Sequence, residues 1–115
     1  MSVQNIQVTV SLDTNNSPVF NYVPTGPVLV TEPGTQIIYS LQDNTGKGLS
    51  FAGAAFVTPF DQVIDAVELL NKTTLALYDT DAIVGETGFR LVFNIAGSTL
   101  QLCSSDPQVI NKDVK

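Results

Sequence analysis

The chain has 115 residues, of which 43% are hydrophobic and 14% are charged, and its formal net charge is −6 at pH 7. This composition excludes an intrinsically disordered chain, because it supplies enough apolar surface for a core and little charge. Five scattered bases against eleven acids form no basic stripe, which argues against nucleic acid and anionic membranes as partners.

Seven short runs alternate apolar and polar residues or are rich in β-branched residues. In chain order they lie at 6–12, 20–22, 28–30, 37–41, 75–77, 89–95 and 100–102. A period of two places the apolar side chains on one face of a strand. Each run therefore predicts a short strand with one buried face, and the cleanest of them, 89–95, predicts a central strand.

Turn-forming residues separate these runs. The segments 13–18, 24–27, 32–34, 43–48 and 96–98 each contain Gly, Pro, Asn or Asp, which supply the backbone conformations that turns require. Short alternating strands between such turns predict an antiparallel sandwich or barrel. The segment GAA at 53–55, between Phe51 and Phe56, predicts a bulge or a close backbone approach. The chain length predicts one domain over 1–115.

The segment 58–71 fits two structures. A helix would begin after Thr58 as N-cap, with Pro59 in the first turn and one apolar face formed by Phe60, Val63, Ile64, Val67 and Leu70. A strand over 63–69 would instead turn into a second strand over 74–78, which gives a hairpin. Local signals favour the helix slightly, whereas an otherwise all-β chain favours the hairpin.

The stretch LYDTDAIVGETG at 77–88 contains three acids and follows a predicted strand. Leu75 and Leu77 share one face of the predicted strand, and by parity Asp79 and Asp81 continue that face. We therefore expect both aspartates to follow the two core-facing leucines as the strand leaves the sheet.

Three acids in this stretch are candidate metal ligands, namely Asp79, Asp81 and Glu86. Calcium needs about six to eight oxygen ligands, and the EF-hand pattern fails because Ile83 and Val84 stand where an oxygen ligand and a glycine are required. We expect an aspartate-based turn that ends the strand, and no metal site.

The chain contains no histidine and one cysteine, Cys103. Serine–histidine and cysteine–histidine catalysis and zinc sites built from Cys and His are therefore excluded. We predict no enzyme activity, no catalytic residue and no cofactor. The single cysteine and the absence of a recognisable signal peptide lead us to expect a cytoplasmic location.

Two short motifs carry a resemblance to a known family. TEPGT at 31–35 precedes a predicted strand and DPQVIN at 106–111 follows one, with FAGAAFVTPFD at 51–61 between them. From Glu32 onward the chain resembles the DP-EP family of small bacterial proteins. The resemblance implies an immunoglobulin-like β-sandwich of about seven to nine strands. It implies no catalytic residues, and it favours the hairpin over the helix at 58–71.

Two classes of function fit these observations. The first is a structural or protein-interaction module, which binds an unknown protein partner or associates with itself as a homo-oligomer. The second is a small-ligand module that binds carbohydrate or Ca²⁺ with loops at one end of the sandwich. A large apolar patch or an open sheet edge favours the first class, and an exposed aromatic platform favours the second.

Overall fold

The computed structural model describes residues 2–80, 83–105 and 108–111. These residues form ten strands and one short 3-10 turn, Pro59–Asp61. The strands are β1 Val3–Leu12, β2 Pro18–Val23, β3 Val28–Val30, β4 Thr35–Asp43, β5 Leu49–Phe56, β6 Ala66–Asn71, β7 Thr74–Asp79, β8 Gly85–Ile95, β9 Gln101–Cys103 and β10 Gln108–Asn111.

The strands form two five-stranded sheets. The first sheet has the order β2-β1-β4-β7-β6, and the second has the order β3-β10-β8-β5 with β9 also paired to β8. Strand β8 holds two strands along one edge, because its beginning pairs with β10 and its end pairs with β9. The all-β, two-sheet sandwich predicted from the sequence is confirmed.

Both sheets contribute to one hydrophobic core. Alternation along β8 buries Phe89, Leu91 and Phe93, as the sequence predicts for a central strand. Aromatic rings join the sheets, since Tyr39 of the first sheet meets Phe89 of the second edge to face, with ring centroids 6.0 Å apart. The buried core side chains are Ile6, Val8, Val10, Val28, Val30, Ile37, Tyr39, Leu49, Phe51, Val63, Leu75, Leu77, Phe89, Leu91, Phe93 and Val109.

The sheets differ from the prediction in strand count and in direction. The described residues contain ten strands rather than seven to nine. Most neighbours are antiparallel, but β1 pairs with β4 in parallel and β3 pairs with β10 in parallel. Apolar–polar alternation shows only which face of a strand is buried. It contains no information on whether the neighbouring strand is parallel or antiparallel.

Of the two structures that fit the segment 58–71, the hairpin is confirmed and the helix does not form, with the first strand at Ala66–Asn71 rather than 63–69. Only the 3-10 turn forms at the start of the segment, and β6 and β7 then pair antiparallel. Val63 is buried, whereas Phe60 is exposed to solvent. The apolar residues that share a helical face in the sequence therefore divide between a core contact and the surface, because pairing with β7 outweighs helical propensity.

A predicted bulge and a predicted turn are both present in the structure. Gly53 lies at a register shift between β5 and β8, which confirms the bulge. At the TEPG motif Gly34 has φ 71°, and the Thr35 hydroxyl donates a hydrogen bond of 2.7 Å to the Glu32 carbonyl. Asp106 and Pro107 lie outside the described residues. Strand β10 runs between β3 and β8, and its Val109 is buried.

Candidate functional site

Asp79 lies where the sequence places it. It is the last residue of β7, opposite Thr35 of β4, and only 1% of its surface is exposed. Leu75 and Leu77 on the same strand are fully buried, so the predicted parity is confirmed. A buried aspartate at a strand end is a position that a sequence pattern identifies well.

The structure does not bring the three candidate ligands together within the residues it describes. Glu86 is exposed on β8 of the second sheet, while Asp79 faces the interior from the first sheet. Asp81 lies outside the described residues. Among the described His, Cys, Asp and Glu residues, no three are grouped closely enough to hold a metal ion.

Two other carboxylates have a structural role. The Asp13 carboxylate accepts hydrogen bonds from the backbone N–H groups of Asn15 and Ser17, at 2.8 and 2.9 Å, and so holds its own turn. The Asp65 carboxylate accepts one from the Thr80 N–H at 2.8 Å, which links the residue before β6 to the residue after β7.

Asp43 connects the two ends of the loop between β4 and β5. Its carboxylate accepts hydrogen bonds from the Thr45 hydroxyl at 2.6 Å and from the Leu49 N–H at 2.9 Å. Desolvation raises the pKa of this carboxyl, but the bonds from Thr45 and Leu49 outweigh it and hold the pKa below its ordinary value. The charged form is thus the one that fits the loop.

The segment 57–63, here called the Phe60 turn, is fixed in the same way. The Asp61 carboxylate accepts hydrogen bonds from the Val63 N–H at 3.0 Å and from the Thr58 hydroxyl at 2.8 Å. Desolvation raises the pKa of Asp61, but these bonds prevail and lower it. Val63 then anchors the turn in the core beside Gly85 of β8.

The anchored turn exposes two apolar side chains. Phe60 is 93% exposed and Val57 is 88% exposed. The other aromatic residues that could line a groove, Phe20, Tyr22, Phe51, Phe56 and Tyr78, are partly or fully buried. The described residues therefore present one projecting phenylalanine at this end of the sandwich instead of an aromatic platform.

A shallow cleft lies between the turn and the edge of the first sheet. It has a volume of about 180 Å³, and it is lined by apolar residues that include Phe56, Ile64 and Val67 and by the acids Asp61 and Asp65. Beyond it runs the edge strand β6, whose six residues are all exposed. The Tyr78 hydroxyl donates a hydrogen bond to the Glu68 carboxylate, which fastens β6 to β7 and raises the pKa of Tyr78.

A second cleft lies at the opposite end of the sandwich and is here called the end cleft. It has a volume of about 310 Å³ and is lined by Leu12, Asn16, Pro18, Thr45, Lys47, Leu49, Ile95 and Leu102. Five of the eight lining residues are apolar, and Lys47 is the only charged one. Sequence reasoning missed the end cleft, because two separate loops, the ends of four strands and Leu102 of β9 build it.

Comparison with solved structures finds a similar fold in the inclusion body protein PixA from Burkholderia cenocepacia J2315. The TM-score is 0.51 at 11% sequence identity, and the match covers 96% of this chain and 96% of that chain. At this identity the likeness concerns the fold alone. Comparison with curated proteins gives no match. Within the described residues, no helix has the length and apolar character needed to cross a bilayer.

The match to a family model covers nearly the whole sequence. It extends over residues 4–113 and includes both dipeptides, Glu32-Pro33 and Asp106-Pro107, that carry the resemblance seen in the sequence. The match spans both sheets and every strand except the first residue of β1. The chain therefore belongs to the DP-EP family.

Proposed function

We propose that the chain is a non-catalytic structural module whose copies bind one another. The observation that carries this proposal is the 93% exposure of Phe60 on a turn that hydrogen bonds hold in place. Burying a phenylalanine side chain contributes about 1.5–3 kcal/mol relative to leaving it exposed. An ordered side chain also loses less conformational entropy on binding, so a fixed turn favours a protein contact.

The surroundings of the turn support a protein contact rather than a small-ligand site. Val57 adds apolar surface, and the cleft beside Ile64, lined by apolar residues and two aspartates, leads toward the exposed strand β6. Aromatic side chains, phenylalanine among them, are enriched at protein interfaces relative to the rest of the surface. The similar fold of an inclusion body protein also supports self-association as a use of this sheet arrangement. The absence of catalytic and metal-binding residues and a cytoplasmic location remain predictions.

The test compares three proteins by sedimentation velocity over a range of concentrations. We expect the wild type to form larger species as its concentration rises, and Phe60→Ser to remain a monomer, because the variant loses the exposed ring. Val23→Thr is the matched control, since Val23 is also exposed, at 64%, but lies on the edge strand β2. A wild type that stays monomeric throughout, or a Phe60→Ser variant that associates as the wild type does, contradicts the proposal.

A further inference from the structure

The proposed self-association leaves open which surface receives Phe60, and the inference drawn here rests on that proposed function. We infer that Phe60 of one copy inserts into the end cleft of a second copy, so that copies join head to tail. Three observations support this contact, namely the positions of the Phe60 turn and the end cleft, the size and lining of the cleft, and the charges beside both.

The Phe60 turn and the end cleft lie at opposite ends of the molecule. Strand β8 marks the distance, because Gly85 at its start lies beside Val63 of the turn and Ile95 at its end lines the cleft. Eleven residues of strand span about 33 Å. The molecule itself measures 45 × 24 × 23 Å, so the two features occupy the two ends of its long axis.

The end cleft has the size and lining that a phenyl ring requires. A cavity of about 150 Å³ lined by aliphatic side chains is enough to bind benzene. The end cleft holds about 310 Å³, and Leu49, Ile95 and Leu102 form its apolar walls. It therefore has room for the ring of Phe60 together with part of the turn that carries the ring.

A basic side chain lines the cleft, and an acidic one follows the ring. The Lys47 ammonium makes no ion pair with any described residue, because the carboxylate of the neighbouring Asp43 accepts hydrogen bonds from Thr45 and Leu49 of its own loop. Asp61 follows Phe60 directly, and the segment 57–71 contains no basic residue. When the Phe60 ring enters the cleft, the Asp61 carboxylate of one copy comes close to the Lys47 ammonium of the other. This attraction favours insertion of the turn into the cleft over a contact between two turns.

A contact between two different surfaces leaves one surface of each kind unoccupied in the resulting pair. Each copy that inserts its Phe60 turn still has an empty end cleft, so further copies add at both ends and form open chains, or rings where the rotation between copies closes. A contact between identical surfaces would instead stop at a dimer. Head-to-tail joining therefore predicts species larger than dimers, and it predicts that two differently blocked variants complement each other.

The first experiment uses tryptophan as a probe, because the chain contains none. Phe60→Trp, kept dilute, is titrated with Phe60→Ser, whose end cleft is intact. We expect the tryptophan emission to shift to shorter wavelength as the ring enters the cleft. The matched control is the double variant Phe60→Ser/Pro18→Phe, in which a second ring fills the cleft, and with it we expect no shift.

The second experiment mixes blocked variants in sedimentation velocity. Phe60→Ser keeps only the cleft and Pro18→Phe keeps only the turn, so each alone should associate at least about tenfold more weakly than the wild type. Their mixture should form a 1:1 complex and nothing larger. Lys47→Glu, on an exposed loop position, should weaken wild-type association by about twofold to fivefold without filling the cleft.

The outcomes separate the inference from the proposed function. A wild type that is monomeric at every concentration overturns both. A wild type that associates through Phe60, while Pro18→Phe and Lys47→Glu associate unchanged, overturns only the inference. Thermal unfolding of each variant shows whether it is folded, and if Pro18→Phe does not fold, the Lys47→Glu result and the Phe60→Trp titration with Phe60→Ser decide the question.

Discussion

Two phenylalanines show how the same side chain serves two purposes in this molecule. Phe93 is fully buried and stacks against Phe51, with ring centroids 5.1 Å apart, and against Phe20 at 6.3 Å. Phe60 contacts solvent over most of its surface. The first ring stabilises the fold, and the second contributes to stability only when a partner covers it.

We predict that Phe93→Ala lowers the free energy of unfolding by about 3–5 kcal/mol, because it removes a buried ring and leaves a cavity. Phe60→Ala is the matched control and should change the free energy of unfolding by no more than about 0.5 kcal/mol. Urea unfolding of both variants, at a concentration where the protein is monomeric, checks the prediction. A loss below about 1 kcal/mol at Phe93 would show that this face of β8 is not the core face.

Sequence patterns predict the burial of some single residues correctly and of others wrongly. Parity along a strand places Asp79 and Phe93 correctly, since both continue an alternating run. Phe60 is placed wrongly, because a helical spacing groups it with Val63. Its exposure depends on how the Asp61 carboxylate directs the turn, which apolar periodicity does not describe.

At the scale of elements, the loop between β4 and β5 packs closely on the turn after β8. Gly48 has φ 69°, and a Cβ atom there would lie 2.7 Å from the Cβ of Ala96. The Ala96 N–H also donates a hydrogen bond of 3.1 Å to the Gly48 carbonyl. Gly46, two residues earlier, has a similar φ of 72° with open space around it.

We predict that Gly46→Ala costs about 1–2 kcal/mol of stability, because a side chain disfavours the left-handed conformation. Gly48→Ala should cost at least about 1 kcal/mol more, because the same conformational penalty is joined by a steric clash with Ala96. Thermal or urea unfolding of the two variants gives the comparison. Equal losses would mean that the loop moves away from Ala96 at no cost.

The segment 58–71 shows why element type is difficult to predict at one place in this chain. Thr58, Pro59 and the apolar spacing form a local helix signal, and the competing signal is the pairing of β6 with β7. Pairing is a property of two segments, so a single window does not contain it. The same holds for the parallel pairs of β1 with β4 and of β3 with β10, which join residues distant in sequence.

At the scale of the whole molecule, the net charge of −6 opposes association. The attraction between Lys47 and a carboxylate is a single pair, whereas the repulsion acts between all the charges of both copies. Charges that are exposed and more than about 10 Å apart are largely screened at 0.1 M salt. The repulsion is therefore the larger salt-sensitive contribution.

We predict that raising sodium chloride from low to high ionic strength increases the mean mass of the wild type in sedimentation equilibrium. The reason is that salt screens the repulsion and leaves the burial of Phe60 in place. Phe60→Ser at the same ionic strengths is the control and should stay monomeric. Dissociation of the wild type by salt would instead show that ion pairs hold the copies together.

The position of β10 has a consequence for the order in which the sandwich is completed. Strand β3 pairs with β10 and with no other described strand, so Val28 gains its neighbour only when Val109 has been synthesised. On the ribosome β3 emerges early, and its partner strand β10 follows only at residues 108–111. Such distant pairing slows folding, so the valines of β3 stay uncovered during synthesis, when a chaperone or a neighbouring nascent chain can reach them.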